Sequence, residues 1–216
     1  MNCSIIEVIT VSRTPQDPKI RIDEILDTAE PLFSANGYRK TTIHDITKRM
    51  GVAKGMVYYY FKSKEEILEA VINRQISVML ADIKQMAYSD DFIPPRKIEL
   101  ILTAIFRAAQ YKDGLLLDLL YDEKNIHIKN KIIRQGTLLL KPSLIYIIED
   151  GVQKGYFHVS HPDIAVNFIM SILQCITDTL CEKVPSKLMA AYLKTAESLI
   201  EKVLSIPEKA LHLSLE

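Results

Sequence analysis

The sequence predicts an all-α fold: an N-terminal three-helix domain containing a helix-turn-helix, joined by a long helix to a second, helical domain. Three observations predict it. Apolar residues recur at spacings of three and four, and strand-like alternation is nearly absent. Prolines stand at the first turn of three apolar-periodic segments, where a missing backbone N–H costs nothing. The stretch from Gly37 to Glu66 encodes two short helices separated by a tight turn.

Residues 1–18 form an arm ahead of the first helix. Its short apolar patch contains Glu7 and follows no basic leader, so it does not read as a secretory signal, and Pro15 to Pro18 reads as flexible. The first helix runs from Lys19 to Asn36 with Ile22, Ile25, Leu26, Ala29, Leu32 and Phe33 inward; Pro31 should bend it and Gly37 ends it. Thr42, with Asp45 three residues on, is a capping-box variant that starts the second helix. Ile43, Ile46 and Met50 face inward, Gly51 supplies the turn, and Val52, Val57 and Phe61 give the third helix its own buried face. Left outside are Lys54, Tyr58, Tyr59 and Lys64.

Ser63 opens a fourth helix whose stripe of Ile67, Leu68, Val71, Ile72, Ile76, Met79, Leu80 and Ile83 continues to about Ala87. That stripe is too long for the first three helices to cover. The domain boundary therefore falls inside this helix, giving a domain at 19–66, a helical body at 67–206 and a tail at 207–216. After a break at Ser89 to Pro95, further helices are expected at Pro95–Tyr111, Leu115–Glu123, His127–Asp150 with a disturbance near Gly136 and Pro142, Pro162–Glu182 and Pro185–Leu204. The last two are apolar over wide faces. Phe168, Ile172, Cys175, Tyr192 and Leu199 serve either packing within the chain or a dimer interface.

The exposed groups of the two short helices point to DNA. Lysines and tyrosine hydroxyls donate to phosphate oxygens, while Lys54, Gly55 and Met56 open the second helix of the pair, the end that meets base edges. Formal net charge is zero over 216 residues, yet Lys19 to Lys64 holds nine basic residues against five acidic ones. One end of a neutral protein is thus equipped to hold phosphates, with salt-dependent affinity.

The stretch TTIHDITKRMGVAKGMVYYYFKSKEEIL resembles the DNA-binding domain of the TetR family of transcriptional regulators, of TetR/AcrR type. Thr41, Thr42, Ile46, Gly51, Val52, Lys54, Gly55, Tyr58, Phe61, Lys64 and Glu65 match the family pattern, with Phe33 and the Asn36-Gly37-Tyr38 corner ahead of them. Ala53, Met56 and Pro31 depart from it. The resemblance implies that Thr42, Lys54, Tyr58, Tyr59 and Lys64 meet phosphates while Gly55 and Met56 lie against bases. It further implies a homodimer on a palindromic double-stranded operator, repression, and a small-molecule inducer in the body that moves the fourth helix. Gly151 to Phe157 resembles the family's lead-in to the terminal helices.

Candidates for ligand contact are polar groups set within apolar stretches of the body: Tyr111, Tyr121, Gln135, Tyr146, Gln174 and Asp178. Each also reads as a structural hydrogen bonder or an exposed residue. The abundance of Leu, Ile, Phe and Tyr suits a hydrophobic or amphipathic ligand. A different use of the scaffold, an architectural or cell-cycle DNA-binding protein with a protein partner and no inducer, is compatible with the same residues. No nucleophile elbow, phosphate loop or dinucleotide fingerprint is present, so neither catalysis nor a cofactor is expected. His158 and His161 read as surface histidines rather than a metal site. Cys3, Cys175 and Cys181 cannot all pair and form no Cys-x-x-Cys, which fits a reducing cytoplasm. No stretch of membrane-spanning length is free of charge.

Overall fold

The computed structural model describes residues 17–120, 125–182 and 184–213, with backbone alone at 110–120. Among these residues all regular structure is helical, in eight helices: α1 (Pro18–Asn36), α2 (Ile43–Met50), α3 (Lys54–Tyr60), α4 (Lys64–Tyr88), α5 (Pro94–Leu120), α6 (Ile126–Gln153), α7 (Pro162–Cys181) and α8 (Ser186–Leu204). The chain divides into two compact units, Met1–Leu68 and Glu69–Glu216.

In the first unit, the Asp17 carboxylate accepts from the Lys19 amide at 2.9 Å and Pro18 takes the first helical position. Asp17 and Pro18 therefore belong to the start of α1 rather than to the arm; the rest of the arm, with Cys3, lies outside the described residues. The helix continues through Pro31. Ile25, Leu26, Ala29, Leu32 and Phe33 are buried, with Ile22 half-buried, and α1 packs on α2 and α2 on α3. The capping box at the head of α2 is complete: the Thr42 hydroxyl accepts from the Asp45 amide at 3.2 Å, and the Asp45 carboxylate accepts from the Thr42 amide at 2.8 Å. Gly51 turns the chain at φ 67°, the left-handed region that glycine enters without a Cβ penalty. Ala53 starts α3 with no side-chain cap.

In the second unit, α5 is one helix where the sequence predicts two. The expected break at Lys112-Asp113-Gly114 contains no proline, and one interior glycine costs only about 1 kcal/mol relative to alanine. Likewise α6 runs unbroken through Gly136 and Pro142. Leu140, Ser143, Leu144, Ile147 and Ile148 are buried on both sides of Pro142, so packing overrides a propensity penalty of about 3 kcal/mol. α7 packs on α5, α6 and α8 around a common apolar core. Gly151 admits the buried Phe157 ring, since a Cβ there would lie 2.1 Å from Cδ2 of the ring. The Gly151 carbonyl accepts from the amides of Tyr156 and Phe157 at 2.8 and 3.1 Å, folding the chain back over the end of α6.

The tail is no loose end where it is described. Leu211 and Leu213 are buried in the core, and three successive amides are taken up by carboxylates. Leu211 donates to Glu201 of α8 at 3.1 Å, His212 to Glu99 of α5 at 2.7 Å, and Leu213 to Glu197 of α8 at 2.7 Å. Residues 207–213 thus form a strap across two helices, while 214–216 lie outside the described residues.

Candidate nucleic-acid interface and ligand cavity

Burial of Ile43, Ile46 and Val57 fixes which faces of α2 and α3 remain free. Lys54 and Gly55 are exposed at the head of α3, and Met56 is half-buried behind them. Tyr58 is 47% and Tyr59 81% exposed, and Tyr59 holds an edge-on contact with Tyr60 at 5.0 Å between ring centres. Arg39, Lys40, Lys48, Arg49 and Lys62 are exposed as well, so the basic excess lies at the surface of this unit. Thr42 is exposed, but its hydroxyl already donates to the Asp45 carboxylate at 2.7 Å. Those bonds hold the Asp45 carboxyl below its ordinary value of 3.8.

Lys64 differs from the other cations. Its ammonium donates to the carbonyls of Tyr38 at 2.8 Å and Thr41 at 2.9 Å, and more distantly to Arg39 at 3.4 Å. It also lies 4.2 Å from the centre of the Tyr38 ring, which meets Phe33 edge-on. Desolvation pulls the ammonium below the ordinary lysine value of 10.5. Lysines on a helix start are usually solvated, and this one is turned into the α1–α2 corner.

Within the second unit, α4, α5, α6 and α7 line a cavity of about 170 Å³ that opens to solvent. Its wall is aliphatic, with Ile76, Leu80, Ile105, Ile132 and Leu173 among the lining, and its polar side chains are Thr137, Gln174 and Thr177. Of the sequence-predicted ligand contacts, Gln174 lines it and donates to the Asp178 carboxylate at 2.8 Å. Asp178 stands behind that bond, 3.7 Å from the Lys129 ammonium, and does not line the cavity. Gln135 is exposed on α6, away from the lining positions Ile132, Gly136 and Leu140. Tyr146 lies against Tyr88 in a tilted ring contact, 4.4 Å between centres, and is likewise outside the lining. The Tyr111 side chain and all of Tyr121 lie outside the described residues. What sequence reasoning missed are Ala108, Ala109 and Gly136, whose small size opens the space. A mid-helix glycine with no turn to make was the available signal.

α7 is long and apolar enough to cross a membrane by length and composition. Ala165, Val166, Ile169, Leu173 and Ile176 fill the core from one side of it. From the rest of its circumference Ile164, Phe168 and Cys175 are exposed, Phe168 by 59%, with Ile172 half-buried. Leu188, Tyr192 and Leu199 are exposed on α8, Leu199 by 45%.

Residues 25–71 match the model for bacterial regulatory proteins of the tetR family. The fatty acid metabolism regulator protein of Bacillus subtilis is 30% identical over 140 residues, covering 61% of this chain and 68% of the relative. The transcriptional repressor KstR2 of Mycolicibacterium smegmatis is 24% identical over 168 residues, covering 76% and 79%. In fold, the chain is similar to a crystal structure of the regulator FadR from Bacillus subtilis in complex with stearoyl-CoA, with a TM-score of 0.61, 21% identity, and coverage of 88% and 99%.

Proposed function

The chain belongs to the TetR family of transcriptional regulators, and from that premise we propose that it is a cytoplasmic, dimeric repressor released from a palindromic operator by an apolar ligand of the acyl-chain kind. It is a DNA-binding regulator and not an enzyme. The observation that carries the ligand reading is the aliphatic cavity between α4 and α7, whose few polar side chains are Thr137, Gln174 and Thr177. An acyl chain fills such a wall and leaves one hydrogen-bonding group to meet the amide or a hydroxyl. The names of the relatives support the same class of ligand.

Dimerisation is supported by the second apolar face of α7 and by the matching face of α8. Exposed apolar side chains at Ile164, Phe168, Leu188, Tyr192 and Leu199 are what a partner copy would cover. Two readers related by a two-fold then address paired half-sites. Lys54, Tyr58, Tyr59 and the Thr42 amino-terminal corner are assigned to phosphates, and Gly55 and Met56 to bases. Since α4 leaves the reader at Leu68 and supplies cavity residues from Ile76 onward, ligand entry has a covalent route to the spacing of the readers. Complete release requires about 5.5 kcal/mol of ligand preference for the released form.

Gly136→Leu tests the ligand reading directly. A Cβ at Gly136 meets open space, and removing an interior helical glycine adds about 0.8–1 kcal/mol of stability. The variant should melt higher, bind operator as before, and no longer release it when long-chain acyl-CoA is added, whereas the unaltered protein releases it. Release of both proteins at equal acyl-CoA would place the ligand elsewhere. Release of neither would exclude this ligand class.

A further inference from the structure

We propose that Lys64 is a positioning residue for the DNA reader: its ammonium pins the corner between α1 and α2, and so sets where α2 begins, instead of meeting a phosphate. The inference rests on the DNA-binding reading. Its geometry lies wholly within the first unit. The carbonyls that hold the ammonium belong to Tyr38 and Thr41, 26 and 23 residues upstream, and Thr41 immediately precedes the Thr42 cap of α2. The corner is tied from its other side too, because the buried Thr41 hydroxyl shares its one proton between the carbonyls of Leu32 at 3.1 Å and Gly37 at 2.9 Å. The far end of the clamp is anchored at the head of α4, where the Ser63 hydroxyl accepts from the Glu66 amide at 3.2 Å and the Glu66 carboxylate accepts from the Lys62 amide at 2.7 Å. A compact ammonium with three protons can serve carbonyls arranged around a point and lie against a ring face at once; a planar guanidinium cannot.

Phosphate contact and positioning make opposite demands on arginine. A phosphate partner accepts arginine readily, while a point surrounded by carbonyls does not. The test uses the full chain, a duplex enriched from a random-sequence pool by the unaltered protein, and a random duplex of equal length, with affinities corrected for the folded fraction. In Lys64→Arg and Lys64→Met, affinity for the enriched duplex should fall by about tenfold or more, as expected for loss of hydrogen bonds to a charged group. Affinity for the random duplex and the salt slope should stay unchanged in both. A slope lowered by about 0.9 in Lys64→Met, with Lys64→Arg unaffected, is the signature of a phosphate contact and would overturn the proposal. Unchanged affinity for both duplexes, with only a lower melting temperature, would reduce Lys64 to a stabilising residue and also overturn it. Should the variants not fold, nuclear magnetic resonance of the unaltered protein decides: the Lys64 ammonium signal should be protected from exchange and stay in place as duplex is added, and a shift on binding refutes the proposal. A protein that enriches no sequence at all would overturn the DNA reading itself, and this inference with it.

Discussion

Truncating Phe168 to alanine should dissociate the proposed dimer while leaving the monomer folded. Complete burial of a phenylalanine side chain is worth about 1.5–3 kcal/mol, and 59% of this one is exposed in the single chain. Covering that remainder gains about 1–1.8 kcal/mol per chain, and a two-fold interface counts it twice. The expected penalty is therefore about 2–3.5 kcal/mol per dimer, or roughly 20- to 400-fold in the dissociation constant. Next to it on α7, Ile169 is fully buried in the core, so Ile169→Ala should cost about 2–5 kcal/mol of fold stability and serves as the contrasting control. Sedimentation over a concentration series reads the dimer, and a thermal melt reads the fold. With the dimer lost, operator affinity should drop toward the non-specific range of about 10⁻⁴ to 10⁻⁶ M. A dissociation constant within twofold of the unaltered protein would show that this face is not the interface. Full operator affinity from a proven monomer would refute the two-fold reading.

Two other perturbations follow from the geometry. Gly151→Ala places a methyl against the enclosed Phe157 ring and should cost about 1–3 kcal/mol as overpacking, lowering the melting temperature by several degrees; a calorimetric midpoint equal to that of the unaltered protein would contradict the contact. For Asp45, the Thr42 hydroxyl and then the Thr42 amide hold the carboxyl below 3.8, so the capping stability is fully present above that value and is lost as pH falls through the lowered one. The Thr42 amide resonance should titrate with a midpoint below 3.8 and lose that titration in Asp45→Asn; a midpoint at or above 3.8 would refute the box.

The reader was legible because short amphipathic helices, a turn glycine and a capping box are all local signals. Ile43, Ile46 and Val57 are buried, and Thr42 with Asp45 caps α2, as their spacing alone implies. The continuity of α5 and α6 was not legible. Gly114, Gly136 and Pro142 look like breakers in isolation, and only the neighbours packed around them decide otherwise. The partners of Lys64 were not legible for a related reason: they are carbonyls more than twenty residues away, and a carbonyl has no side-chain signature. The cavity is lined by small residues at Ala108, Ala109 and Gly136, which no polarity pattern records.

The strap bears on when this molecule can come into being. His212 meets Glu99 across 113 residues of sequence, so a chain still being synthesised cannot complete its second unit until that segment has left the ribosome. Until then Glu99, Glu197 and Glu201 stand without their amides, and the sites that Leu211 and Leu213 fill stay open. The reader, made of residues upstream of Glu69, faces no such wait. Birth therefore separates the two halves in time, and a nascent chain would carry a finished reader well before the unit that holds the aliphatic cavity is closed.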